Sequence, residues 1–245
     1  MNRRIIQWYF NFIYTPIYDF CIAQSKPYQR LRVFYLNKLV LPLKARRLSN
    51  LSTILALAAA IDARDHYTYG HSQKVATYAV MLGEAIGIEP ERLSALRIAA
   101  LLHDIGKIGI PDNLLLKQQR FNEAEKKEIQ RHTTLAASIL KHVPSLSNLL
   151  PHIVHHHERF DGTGYPDGIR GVEIPLESRI LAIADSYDAM TSLRPYRPPL
   201  QLRDAITELR QCAGTQFDPE LVMAFCKIIG QNCHNTAMPK TDQIV

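Results

Sequence analysis

His103 and Asp104 stand side by side at the end of an apolar run, Leu101-Leu102-His103-Asp104-Ile105-Gly106-Lys107, with a lysine three residues past the aspartate. Buried charge is costly unless it is paired or coordinated, so other side chains must compensate this pair. The chain has ten histidines, and nine of them fall between His66 and His157. A single helical histidine such as His132, His142 or His152 ordinarily has a structural role; the set is what informs. His71, His103, Asp104, His132, His156, His157 and Asp185 supply five imidazoles and two carboxylates. Nitrogen and oxygen donors without thiolate suit Fe, Mn, Zn or a similar first-row ion. Seven donors exceed one tetrahedral site and match two octahedral ions sharing a bridging carboxylate. Two ions about 3.5–4 Å apart are a standard device for phosphoester hydrolysis, because they activate water and neutralise phosphate charge. Lys107, close to Asp104 in a Gly-flanked apolar segment, would place a cation beside the attacked or leaving oxygen.

The elements that must position these groups read as helices. Leu51, Ile54, Leu55, Ala58 and Ile61 recur at helical spacing. A second helix is expected from about His71 to Gly87, and a third opens at Pro90 and carries Leu93, Leu96, Ala99 and Leu102 into His103-Asp104. Asn122 with Glu125 predicts a capped helix start, and that helix is expected to run through Ile129, His132, Leu135 and Ile139. Pro151 is expected to start a short helix ending in His155-His156-His157-Glu158. The segment Asp161-Gly162-Thr163-Gly164-Tyr165-Pro166-Asp167-Gly168 is turn-rich. Further helices are expected over about 176–192, 201–212 and 219–229, the last with Asp218-Pro219 as N-cap and first residue. No strand-like alternation is seen, so the expected fold class is all-α.

The 245 residues, 47% hydrophobic, have a globular composition. Cys21, Cys212, Cys226 and Cys233 lack C-x-x-C spacing and point to a reducing compartment without a disulfide framework. The net charge of +6 is uneven: the first 50 residues carry +8, and the remainder sums to −2. The expected organisation is a basic, aromatic segment over 1–48, a helical domain over 49–230 and a tail over 231–245. The run Ile5-Ile6-Gln7-Trp8-Tyr9-Phe10 is too short to span a bilayer and lacks a signal-peptide cleavage site. It suits either peripheral membrane contact or packing on the main domain or a second copy in a homodimer. The expected location is cytoplasmic, at the inner face of the membrane if the first alternative holds.

The chain resembles the HD-GYP family of HD-superfamily phosphohydrolases over about residues 52–228. The resemblance rests on Gly70-His71-Ser72, Leu101 to Ile108, His132, and His156-His157-Glu158-Arg159-Phe160-Asp161-Gly162-Thr163-Gly164-Tyr165-Pro166. It continues with Arg179-Ile180, Ala184-Asp185, Arg194-Pro195-Tyr196-Arg197 and Gly214 to Pro219. It implies an HD-type helical bundle that hydrolyses cyclic di-GMP, with no nucleic-acid polymer as partner, to linear pGpG or on to GMP. It implies two divalent ions, Fe or Mn. One is held by His71, His103, Asp104 and Asp185, and the other by Asp104, His132, His156 and His157. Lys107 matches the catalytic lysine, Arg194 and Arg197 match positions that hold the ligand, and Tyr165 lines the cleft or packs beside it. Glu158 and Asp161 are expected to support the ligands or organise the loop rather than bind an ion, with Glu158 placed to orient a neighbouring histidine. Two departures stand out. Tyr67 replaces a glutamate that holds a third metal in some members, which favours two ions and pGpG as product. Leu193 replaces the aspartate usual before Arg194. The alternatives to weigh are a mixed cyclic GMP–AMP substrate and a receptor that binds a cyclic dinucleotide without hydrolysis.

Overall fold

The structure is a computed structural model that describes residues 41–64, 70–193 and 198–235, with side chains over 51–64, 70–193 and 198–230. Backbone contacts divide the chain into Met1–Thr53 and Ile54–Val245, and the chemistry-bearing residues lie in the second unit. Among the described residues the regular elements are helices, with one isolated bridge between Ala213 and Phe217 besides. None of their helices is long and apolar enough to cross a membrane. The expectations for residues 1–40, Tyr67, Arg194 and Arg197 fall outside the described residues.

Helix α1 spans Leu41–Arg64, α2 His71–Ala85 and α3 Pro90–Leu102. A 3-10 turn, Ile105–Gly109, leads to the short α4, Asp112–Leu115. Then follow α5, Glu123–Gln130; α6, His132–Leu140; and α7, Leu150–Val154. The long α8 covers Leu176–Thr191, α9 Leu202–Gln211 and α10 Pro219–Asn235, which runs past the expected end at 229.

The apolar spacing explains the packing. Val75, Ala79 and Leu82 of α2, Leu96, Ala99 and Leu102 of α3, and Ile180, Ile183 and Ala184 of α8 are all buried. They make α2 the centre of a layer with α3, α8 and α10 against it. Tyr78, Tyr187 and Phe225 join α2, α8 and α10 edge to face, with centroids 4.9–6.2 Å apart, a geometry that favours aromatic pairs. The helix ends match their expected chemistry. Asn122 and Glu125 form a reciprocal capping box, with 2.9 Å bonds in both directions. Asp218 Oδ1 accepts from Glu220 N at 2.9 Å and binds Arg179 through Oδ2 at 2.5 Å, which fixes the start of α10.

Two expectations are corrected. The helix expected to run through Ile129 and His132 is broken at Arg131 into α5 and α6. Around the break, the His132 ring donates to Ile129 O, Thr133 Oγ1 to Gln130 O and Thr134 Oγ1 to Arg131 O. Side-chain donors of this kind compete with the backbone for helical carbonyls and bend the helix. The second correction concerns α7, which stops at Val154, so His155, His156 and His157 lie in the turn beyond it rather than on the helix.

Candidate metal centre

The predicted donors converge from five places in the chain. His71 is the first residue of α2, and His103 and Asp104 follow α3. His132 opens α6, His156 and His157 follow α7, and Asp185 lies on α8. Helix ends bring the histidines and Asp104 together because a terminus can aim a side chain along the bundle into a shared space, whereas Asp185 projects from the middle of α8. Among the described residues, His71, His103 and Asp185 form one group whose donor atoms lie within 4.8 Å of one another. His132, His156 and His157 form a second such group, and His103, Asp104 and His156 a third that overlaps the first.

The tautomers are fixed from behind. His103 Nδ1 donates to Ala100 O at 2.7 Å, His132 Nδ1 to Ile129 O at 2.8 Å and His156 Nδ1 to Ile153 O at 2.6 Å. Each acceptor is the carbonyl three residues earlier. The opposite Nε2 atoms of all three rings are buried and hydrogen-bonded to nothing. A buried polar atom left unpaired costs about 1–3 kcal/mol, and three such nitrogens pointed into one space form a ready set of metal donors once deprotonated. Imidazoles held by their other nitrogen are the usual arrangement at metal sites.

Asp104 lies between the two halves. Its Oδ2 is 3.4 Å from His103 Nε2 and 3.9 Å from His71 Nε2, while Oδ1 is 3.6 Å from His132 Nε2. Lys107 Nζ lies 2.8 Å from Oδ2. Burial alone would raise the Asp104 carboxyl, but Lys107 and His103 hold it well below the usual carboxylate range. Asp185 Oδ1 is 3.3 Å from His71 Nε2. Burial opposes ionisation of Asp185 too, and His71 overrides it and holds this acid low.

The two halves differ electrostatically. Burial would lower the His71 pKa, yet Asp185 and Asp188 push it up to about 10. Burial and neighbouring imidazoles lower His157 to about 4; burial also lowers His132 and His156. At pH 7 His71 therefore holds a proton, while His132, His156 and His157 are neutral donors. Ion uptake should release at least one proton per chain at pH 7, from the His71 side. Titration calorimetry in buffers of different ionisation enthalpy checks this, and identical heats in all buffers would contradict it.

The Asp104–His132 approach depends on Gly106. A Cβ at this position would fall 1.8 Å from His132 O and 2.6 Å from Ala136 N, both backbone atoms. Gly106→Ala must push the 105–109 turn off α6. The expected cost is about 3 kcal/mol, a melting temperature lower by about 6–12 °C, and weaker ion binding at His132. Thermal melting at wild-type temperature would contradict it.

The turn-rich loop forms one wall. Glu158 is buried, and its Oε1 accepts from Asp167 N at 2.7 Å and Gly168 N at 3.0 Å. Asp161 binds Thr163 and Arg159. A Cβ on Gly164 would meet Arg159 N at 2.3 Å, so the loop folds back on its own stem. Tyr165 lies tilted over the His157 ring at 5.0 Å and edge-on to His132 at 6.4 Å. Burial, reinforced by Asp104 and Asp185, pushes its phenol well above the ordinary range, so it stays a neutral donor. Glu158 and Asp161 thus organise the loop, as their place beside the histidines suggests.

Other histidines are placed elsewhere: His142 is exposed, His152 faces Glu177, and His155 bonds Asp167 at 2.9 Å. Two contributors escape the sequence reading. Asp188 binds His71 from behind, and Arg64 donates to Lys107 O and, at 2.6 Å, to Ile110 O, tying down the 105–109 turn. Spacing of three from Asp185 on one helix was the available signal for Asp188; Arg64 left none.

The HD-domain family profile matches residues 55–221. The chain is similar to a cyclic di-GMP phosphodiesterase of Thermotoga maritima, 40% identical over 67% of this chain and 45% of that protein. It is also similar to a 3'3'-cGAMP-specific phosphodiesterase 3 of Vibrio cholerae, 37% identical over 72% of this chain and 38% of that one. It spans less than half the length of either relative. A crystal structure of a cyclic GMP–AMP specific phosphodiesterase of Vibrio cholerae shares the fold, with a TM-score of 0.61 over 78% of this chain and 51% of the other at 18% identity. A buried histidine–aspartate cluster, a Gly-Tyr-Pro segment beside it and a profile match over most of the chain agree: the chain belongs to the HD-domain family, as a relative of the HD-GYP phosphodiesterases.

Proposed function

We propose that the chain is a metal-dependent phosphodiesterase that hydrolyses cyclic di-GMP to linear pGpG. The observation that carries this reading is the trio of buried, unpaired Nε2 atoms on His103, His132 and His156 around Asp104. His71, His103, Asp104 and Asp185 would hold one ion and Asp104, His132, His156 and His157 the other, a division supported by the grouping of their donor atoms. Iron or manganese suits this thiolate-free set. Two such ions, when bound, supply activation of water and positive charge for the phosphate oxygens.

The chain's own residues would do the rest. Asp104, kept ionised, offers one oxygen to each half. Lys107 extends from the turn fixed by Arg64 and would place its ammonium against a phosphate oxygen. Tyr165 offers a neutral hydroxyl and a flat wall beside His157. Arg194 and Arg197 are assigned to the phosphates and bases, suited by the bidentate habit of guanidinium. In the overall step, a water oxygen adds to phosphorus, the P–O3′ bond breaks, and the proton ends on O3′. The products are a 5′-phosphate and a free 3′-hydroxyl. Tyr67 in place of a third-metal glutamate favours stopping at pGpG.

A second reading, hydrolysis of a mixed cyclic GMP–AMP dinucleotide, is favoured by the similarity to the Vibrio cholerae 3'3'-cGAMP-specific protein. Protein reconstituted anaerobically with Fe(II) or Mn(II) and given both dinucleotides at equal concentration tests these readings. Faster loss of cyclic di-GMP with pGpG accumulating is expected. Faster loss of the mixed dinucleotide would promote the second reading, and two intact substrates would overturn both.

A further inference from the structure

His71 differs from His103, His132 and His156 in what holds it. Those three rings donate Nδ1–H to the carbonyl three residues earlier. His71 is the first residue of α2. Its Nδ1 lies 2.7 Å from Asp188 Oδ2, a carboxylate supplied by α8. That leaves Nε2 facing Asp185 Oδ1 at 3.3 Å and Asp104 Oδ2 at 3.9 Å. A carboxylate behind a ligand imidazole fixes its tautomer and orientation and raises its basicity.

Asp188 is itself buried and held from the other side. Its Oδ1 accepts from Ser192 Oγ at 2.9 Å. Lys74, on the next turn of α2 after His71, donates to Ser192 Oγ at 2.9 Å and lies 3.8 Å from Asp188 Oδ1. Ser192 caps α8, its N–H bonding to Asp188 O at 2.9 Å, and the chain leaves for Arg194-Pro195-Tyr196-Arg197 through the exposed Leu193. A continuous polar strut thus runs from the metal-facing ring of His71 to the point where the assigned substrate segment begins.

We propose that Asp188 is the positioning residue for His71, and that Ser192 and Lys74 hold Asp188 in place, coupling one ion position to the chain that leaves α8. The inference rests on the two-ion reading above, but its test needs no nucleotide. Asp188→Asn keeps the size of the side chain and removes its charge. Manganese binding is measured by competition with a chromophoric chelator, with thermal melting as the check on folding. One of the two ions should bind about 10–100-fold more weakly, with the other unchanged. Ser192→Ala, which removes one hydrogen bond to Asp188 and leaves the His71 contact, should weaken the same ion by about fivefold. A folded Asp188→Asn protein with wild-type affinity for both ions would overturn the proposal. So would equal weakening of both ions, which is what a merely structural role would give. Independently of any variant, long-range 1H–15N spectra of the zinc-loaded wild type should show His71 protonated at Nδ1. Protonation at Nε2 would overturn the assignment. Failure to hydrolyse any cyclic dinucleotide would count against the phosphodiesterase reading and leave these binding results standing.

Discussion

On the two-ion reading proposed above, Asp104→Ala should abolish binding of both ions and lower hydrolysis by at least about 10³-fold, whereas His71→Ala should mainly weaken one ion. The contrast follows from placement. Asp104 turns Oδ2 toward His103 and His71 and Oδ1 toward His132, so its two oxygens serve the two halves of the cluster. His71 faces only Asp104 and Asp185 on the front and Asp188 behind. Removing Asp104 takes a charge from the middle of a buried set of imidazoles and breaks its 2.8 Å ion pair with Lys107. Elemental analysis of the two purified variants, with turnover measured alongside, checks this. An Asp104→Ala protein that keeps both ions would show that the aspartate does not join the halves.

Lys107→Met should lower kcat by about 10²–10³-fold while leaving the ion content intact. The side chain contributes charge, not a donor pair, to the centre. The main chain around it is held independently: Arg64 bonds the carbonyls of Lys107 and Ile110 and reaches Asp112 Oδ1 at 2.7 Å. The turn should therefore survive the substitution. The sign of the effect on ion binding is also fixed. An ammonium beside Asp104 competes with a divalent ion for the same oxygen, so its removal should leave ion affinity equal or tighter. Loss of ions together with loss of turnover would reassign Lys107 to a structural role. Kinetics and ion titration on the same preparation separate the two.

The histidines and aspartates that the fold brings together were legible in the sequence for a chemical reason. Histidine and aspartate inside apolar runs are expensive, and His103-Asp104 or His156-His157 can be tolerated only if something pairs them. Helical spacing likewise located α2, α3 and α8, which carry most of the core. Local sequence could not show what depends on contacts between distant segments. The break between α5 and α6 arises because three consecutive side chains, His132, Thr133 and Thr134, bond back to carbonyls, while the apolar period runs through it unchanged. Gly106 looked like an ordinary turn glycine; the carbonyl of His132 that excludes a Cβ lies 26 residues further along. Asp188 reads as one of several polar residues on α8 until His71, 117 residues away, is set against it.

The most direct test of the two-ion centre is anomalous diffraction from crystals of the manganese-loaded protein. Two anomalous peaks about 3.5–4 Å apart are predicted, with Asp104 oxygens reaching both. His71, His103 and Asp185 should surround one peak and His132, His156 and His157 the other. A single peak, or two peaks that do not share Asp104, would contradict the account.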